Sequence, residues 1–429
     1  MRNVTIVIPL LVIFAGIYIS CKVRFFYLNP KIMLKSLCGI LSKRGALGSL
    51  SLALAGTLGV GNIIGVAVGI RVGGAGSVFW LVLSAVPACA IKYAESALAA
   101  DCASHSGMTG LIKSTFGTFG SASALIYSLF TVLLSLFMGA GLQSASFTST
   151  LASLVPVSHL SIGIVLVILA LPFVFFGMQR IKNATSLFVA AATSLYIILA
   201  LIVIFPAKEA LPSVFRLIFT EAFNGSAAAG GVLGFLVSYA LKEGFLRGIL
   251  SNEAGLGTSS LAHADSAGYT PHEAGVIGVL EVVCDTVILC PLTALMLLVA
   301  GDGTAPDAVS YVLSAVRRGG AIAEYLFAVA LFFFAFSTVI CWATYGRVAC
   351  KSTFSQLEIP FRIAFLVFVL LGALTGAEML VGAVDFIMLP LAVISISAVI
   401  KSSDRVSALS ESCKNFKRNI KASEWSKES

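Results

Sequence analysis

Eleven apolar runs, each close to the length a bilayer demands, constrain this chain more than any other feature. A helix needs about 20 mostly apolar residues to cross the hydrocarbon. Such runs fall at about 4–20, 47–71, 76–100, 117–152, 159–178, 183–206, 213–250, 271–300, 319–350, 359–376 and 379–400. Only short polar punctuations separate them, such as Gly177-Met178-Gln179-Arg180 and Gly301-Asp302-Gly303. Charged side chains make up 11% of the 429 residues and apolar ones 58%, where a soluble domain carries about 25% charged residues. Even a large soluble domain keeps a broad surface that needs polar cover. The composition therefore excludes a soluble enzyme, a disordered chain and a nucleic-acid binder. It predicts an all-α polytopic membrane protein of about 11 transmembrane helices, with the lipid bilayer as its surroundings. Residues 1–400 read as a single transmembrane domain and 401–429 as a basic, Ser-rich tail. The first run could pass for a signal's apolar region, but Cys21-Lys22-Val23-Arg24 follows it without a small-x-small cleavage site, so it is expected to remain as a helix.

The net charge of +8 needs no acidic partner once its placement is counted. If the first run passes from outside to inside, 22 Lys and Arg fall on the inner side and 6 on the outer. On this count Lys242 and Arg247 are inner and Arg71 is outer. Basic residues collect on the cytoplasmic side of membrane proteins. The expectation is a multi-pass protein of the plasma (inner) membrane, N-terminus outside and C-terminus cytoplasmic. The nine cysteines form no CxxC pair and no Cys/His cluster, so neither a disulfide framework nor a metal site is expected.

Two runs are poor helices. The second contains Ala55-Gly56-Thr57-Leu58-Gly59-Val60-Gly61-Asn62, and the seventh contains Ala227-Ala228-Ala229-Gly230-Gly231-Val232-Leu233-Gly234. A glycine weakens a helix interior by about 1 kcal/mol relative to Ala. Open backbone at membrane depth is tolerated only against protein or a watery cavity. Gly-interrupted spans in corresponding positions of two halves mark the binding site of many transporters; close helix packing through small residues is the other reading.

Four further stretches make a family visible. Gly56-Thr57-Leu58-Gly59-Val60-Gly61-Asn62-Ile63-Ile64-Gly65-Val66-Ala67 resembles the GTVGTGNIAGVA signature of the alanine/glycine:cation (sodium:alanine) symporters. Ser251-Asn252-Glu253-Ala254-Gly255-Leu256-Gly257 with Ala262-His263-Ala264 is similar to that family's SNEAGxGSAPIAHA stretch. The segment from Glu281 to Cys290 resembles its EVFxDTxxxC motif, and Phe334-Ala335-Phe336-Ser337-Thr338 with Trp342, Tyr345 and Gly346 resembles FAFSTxxGWxYYG. The resemblance implies a leucine-transporter-type core. That core has 5+5 helices in inverted repeats (47–206 and 213–400), with core helices 1 and 6 broken, behind one peripheral helix at 4–20. It also implies sodium-driven uptake of alanine or glycine by alternating access, with sodium as the co-transported ion and no prosthetic cofactor.

By the same resemblance, backbone amides near Val60, Gly61 and Asn62 would hold the substrate carboxylate, with Gly230 and Gly231 at the second break. Gln143 would line the site with Thr338, and Trp342 would wall it against large side chains. Sodium would meet the carbonyls of Ala55 and Leu58 and the hydroxyls of Ser337 and Thr338. The residues alone leave other readings open. Ser337 and Thr338 could bond back to their own helix, and Gln143 could only bridge helices. Lys92 and Glu95, three apart, read as an ion pair. Asn252 and Glu253 read as caps at the cytoplasmic end of the seventh span. Glu281 and Asp285 share a helix face and carry the rival reading of proton coupling. A transport-incompetent amino acid sensor is a rival of another class. No Ser/His/Asp, HExxH or paired-carboxylate arrangement argues for an enzyme. Val60 stands where the family has Thr, Ala140 and Ala145 flank Gln143 where Asn is common, and Arg347 stands where Glu is common. These departures bear on the substrate rather than on the fold.

Overall fold

The structure, a computed structural model, describes residues 6–41, 46–102, 107–175, 178–223, 239–263 and 270–411, and every regular element among them is helical. Among these residues seven helices are long and apolar enough to cross a membrane, and a bent pair makes up to eight. The elements that build the site are α1 (Val7–Lys22), α2 (Ala46–Thr57), α3 (Ile64–Gly73), α4 (Gly76–Ala100), α5 (Gly120–Leu134), α6 (Gln143–Leu154), α7 (Tyr239–Asn252), α8 (Pro271–Val282), α9 (Cys290–Ala300), α10 (Gly320–Thr353) and α11 (Ala377–Lys401). A π-helical stretch, Ser135–Leu142, joins α5 to α6, and another, Val283–Leu289, joins α8 to α9. The long helices follow the apolar runs closely, as Gly76–Ala100, Gly117–Leu154, Pro271–Ala300 and Ala377–Lys401 show. Within the seventh run, Leu211–Ala222 is an amphipathic helix that ends at Ala222, and α7 is described from Tyr239 onward. Gly230 and Gly231 lie outside the described residues.

Apolar side chains form both the core and much of the outer surface, and several charged groups are buried. Phe14, Ile168 and Leu187 are more than 60% exposed, whereas Lys92, Glu95, Glu281 and Asp285 are completely buried. A bilayer tolerates apolar side chains on its lipid-facing surface and confines the rare charges within spans to the bundle interior. Close approach at the centre depends on small residues: a Cβ on Gly244 or Gly248 of α7 would collide with the Ser77 carbonyl or the Ser84 hydroxyl on α4.

Among the described residues two breaks interrupt the bundle. α2 and α3 meet at 54° through the extended Gly59 and a single 3-10 turn, Val60–Asn62. The second break follows α7, where Glu253, Gly255 and Gly257 all take positive φ. It therefore falls at the SNEAG stretch. Asn252, the last residue of α7, and Glu253 are fully buried.

Ion pairs sort the ends of the bundle. Arg71 pairs with Glu378 at one end. Lys22–Asp404 (2.7 Å), Arg24–Glu411 (2.9 Å) and Arg405–Asp101 (2.5 Å) lie at the other. Lys242 and Arg247 line one cavity with Arg71, which moves them from the inner tally to the outer. α7 runs antiparallel to α3, so its first residues share the Arg71 end. The bias becomes 20 to 8 and keeps its sign.

Candidate functional site between the two helix breaks

A helix leaves its last carbonyls without intrahelical partners, and α2 ends in the middle of the bundle. One face of α10 meets those carbonyls. The Thr338 hydroxyl lies 3.0 Å from the Ala55 carbonyl oxygen and 3.4 Å from that of Leu58. Trp342 Nε1 donates to the Gly56 carbonyl at 3.2 Å, and the Cys341 thiol reaches the Leu52 carbonyl at 3.3 Å. Thr338 Oγ1 is also 2.9 Å from the carbonyl of Phe334 in its own helix. A hydroxyl has one proton to donate. Three carbonyl oxygens compete for it, so this is an oxygen-rich pocket with electron pairs to spare. Ser337 behaves differently: its hydroxyl donates to Phe334 at 3.0 Å, the back-bonded geometry.

Gln143 closes the other side. Its Oε1 accepts from the Val60 amide at 3.1 Å, and its Nε2 donates to the Met138 carbonyl at 3.3 Å. Residue 143 follows a π-helical stretch, a feature that often marks functional sites. Gly59 is the residue that lets these groups converge, because a Cβ there would sit 2.8 Å from Thr338 Oγ1 and 2.9 Å from Gln143 Oε1. Trp342 packs as tightly, since a Cβ on Gly139 would collide with the Trp342 Cβ.

The two breaks face each other through a polar cluster. Asn62 Nδ2 donates to Asp285, whose Oδ1 also accepts from Ser251 at 2.8 Å and whose Oδ2 accepts from Thr286 at 2.6 Å. Asn252 Nδ2 donates to Thr286 Oγ1 at 2.9 Å. Asn62 Oδ1 is buried with no hydrogen-bond partner among the described residues. Beyond this cluster, Lys92 Nζ donates to the Asn252 carbonyl at 2.6 Å and lies 3.3 Å from Glu281, which also bonds His263 Nε2 at 2.8 Å. A cation at the C-terminus of α7 complements the helix dipole. Lys92 thus pairs across helices with Glu281, not with Glu95, whose carboxylate accepts from Ser395 at 2.8 Å.

Of the residues singled out from the sequence, the structure gathers Ala55, Leu58, Val60, Gly61, Asn62, Gln143, Thr338 and Trp342 around the first break. Gly61 abuts the second, and a Cβ added to it would lie 3.7 Å from the Leu250 carbonyl. Gly59, Ser251, Asn252, Asp285 and Thr286 belong to the same region, although the sequence does not single them out as ligands. The turn-forming Asn252, Gly255 and Gly257 within an apolar context are the signal that points to the second break. Among the described residues no group of three or more His, Cys, Asp and Glu could hold a metal ion.

A family model described as the sodium:alanine symporter family matches residues 2–428. The chain belongs to the sodium:alanine symporter family. Within the range of relatives it matches, the sodium/alanine symporter AgcS of Methanococcus maripaludis is 30% identical over 344 residues, 76% of this chain and 74% of that one. The probable sodium/glutamine symporter GlnT of Bacillus subtilis is 27% identical over 410 residues, 90% of this chain and 83% of that one. A crystal structure of the Eremococcus coleocola manganese transporter shares the fold at a TM-score of 0.52 and 16% identity, covering 85% of this chain and 76% of that one. This sodium:alanine symporter family member is a multi-pass membrane transporter and not an enzyme.

Proposed function

We propose that this chain is a secondary active symporter that carries a small neutral amino acid, alanine or glycine, inward with sodium by alternating access. The observation that carries the reading is Thr338 Oγ1 set among the carbonyl oxygens of Ala55, Leu58 and Phe334 at the break of α2. Unwound carbonyls and half-helix C-terminal ends are the oxygen ligands that transporters offer to sodium. In this reading Ala55, Leu58 and Thr338 hold the ion, with Ser337 joining after one rotamer change. The amide of Gly61 and the unpartnered Asn62 Oδ1 then address the carboxylate and ammonium of a zwitterion. Val60 offers its amide once Gln143 gives way.

The tight contact of Gly139 with Trp342 favours a small side chain, in keeping with the sodium/alanine name of one relative over the sodium/glutamine name of another. The 20 to 8 charge bias supports a C-terminus in the cytoplasm and an N-terminus outside, in the plasma membrane. Two breaks, one in each half of the chain, support inverted 5+5 repeats rocking about this midplane. One observation favours a second reading: among the described residues Glu95 Oε2 and Glu253 Oε1 are buried without hydrogen-bond partners, and a proton on either would couple transport to pH. Uptake that survives sodium removal and falls when the proton gradient is collapsed would select that reading.

Gly61→Leu tests the position of the pocket. A Cβ at Gly61 makes only ordinary contacts, 3.7 Å from the Leu250 carbonyl and 3.8 Å from Ser251 Cα, but the rest of a leucine side chain has to fill the space between the breaks. Binding of labelled alanine to the purified variant is expected to vanish while the protein remains monodisperse. Normal affinity would place the pocket elsewhere. Gly59→Ala is expected to reduce sodium-dependent alanine binding through its clash with Thr338 and Gln143, and unchanged binding would mean that those two groups do not act together.

A further inference from the structure

A cavity of about 470 Å³ opens at the Arg71 end of the bundle, walled by α3, α7 and α11. Its polar lining comprises Arg71, Lys242, Glu243, Arg247, Glu378 and Asp385. Arg247 is its buried anchor, with a side chain only 2% exposed. Its Nη2 donates to Asp385 Oδ2 at 2.6 Å and lies 3.5 Å from Glu243. Among the described residues the other two guanidinium nitrogens, Nε and Nη1, have no hydrogen-bond partner, and neither does Asp385 Oδ1. Buried charged groups with unmet hydrogen-bonding capacity are costly and mark sites where something else binds. Here donors and an acceptor are both left over, side by side, in one cavity. A lone anion would satisfy only the donors, whereas a zwitterion satisfies both.

We propose that this cavity is a second binding site, for a zwitterionic α-amino acid, with the carboxylate on Arg247 and the ammonium on Asp385. Ser251 follows Arg247 by one turn of α7, so the site stands about 6 Å along the helix from the second break. It thus lies between the Arg71 end and the central pocket. The proposal takes its amino acid probe from the function proposed above but does not require transport.

Gly382 supplies the reporter. It lines the cavity and is exposed, and a Cβ added there meets nothing within 4 Å. The full-length Gly382→Cys protein is purified in detergent, both as that single variant and combined with Gly61→Leu to fill the central pocket. A methanethiosulfonate reagent is applied, and modification of residue 382 is followed by peptide mass spectrometry. L-Alanine is expected to slow modification in both backgrounds. Acetate should do so only at higher concentration, and propylamine should not. Loss of a hydrogen bond to a charged group weakens binding roughly tenfold or more, so Arg247→Gln should raise the protecting alanine concentration by at least that factor. Asp385→Asn, which leaves the guanidinium in place, should make alanine no better than acetate; it also serves if Arg247→Gln fails to fold. Absence of alanine protection in the Gly61→Leu background, protection that survives Arg247→Gln, or acetate matching alanine with Asp385 intact would each overturn the proposal. Sodium-driven uptake without protection at residue 382 overturns this second site alone. Protection without uptake overturns the central reading alone.

Discussion

Lys92→Met is expected to remove about 3–5 kcal/mol of stability, the usual cost of breaking a buried pair by deleting one partner. Lys92 has a side chain with no solvent exposure, as has Glu281 3.3 Å away. Its ammonium also holds the last carbonyl of α7 at 2.6 Å, so one side chain ties α4, α7 and α8 together. Removing it leaves the Glu281 carboxylate with only His263 and the end of α7 without a cation. The measurement is the fraction of monodisperse protein surviving a temperature ramp in detergent. Lys92→Met should lose most of the folded material well below the unaltered protein. Lys92→Met combined with Glu281→Gln should recover much of that loss, because the uncompensated charge is gone. A single variant as stable as the parent would mean that the pair adds nothing to the fold.

Thr338→Val is expected to raise the sodium concentration for half-maximal uptake roughly tenfold or more, since an oxygen contact to a charged group is worth about 1.5–3 kcal/mol. Valine keeps the branched shape and removes the single atom that approaches the Ala55 and Leu58 carbonyls. Packing in α10 should therefore persist while the ion site is damaged. Thr338→Ser keeps the hydroxyl and should stay near the parent. Ser337→Ala should do less than Thr338→Val, because Ser337 bonds back to Phe334. Unchanged sodium dependence in Thr338→Val would remove this hydroxyl from the ion site.

The first break is legible in the sequence because its causes are local. Three glycines within six residues weaken a helix locally, and the Thr338–Trp342 pair one turn apart defines the face that α2 must meet. The second break is not legible as such. Gly230 and Gly231, the denser glycine signal, lie outside the described residues, and the positive-φ positions that follow α7 are Glu253, Gly255 and Gly257. A buried glutamate in that conformation is not something turn statistics favour. The partner of Lys92 escapes the sequence for a related reason. Helical spacing points to Glu95, but two side chains three apart on a buried helix need not meet when a neighbouring helix offers a better acceptor, here Glu281 and the Asn252 carbonyl. Arg247 reads as an inner charge only while the seventh run is taken as one continuous span. With α7 antiparallel to α3 and the Tyr239 carbonyl 3.1 Å from where a Gly73 Cβ would lie, Arg247 belongs to the Arg71 end.

The central claim is sodium-driven movement of a small neutral amino acid through the site between the breaks. Its most direct test is uptake of labelled alanine into proteoliposomes holding the purified chain, with an inward sodium gradient and with potassium in its place. The account predicts accumulation only with sodium, competed by glycine and not by glutamine. Equal uptake in potassium, or none in either from a folded protein, would contradict it.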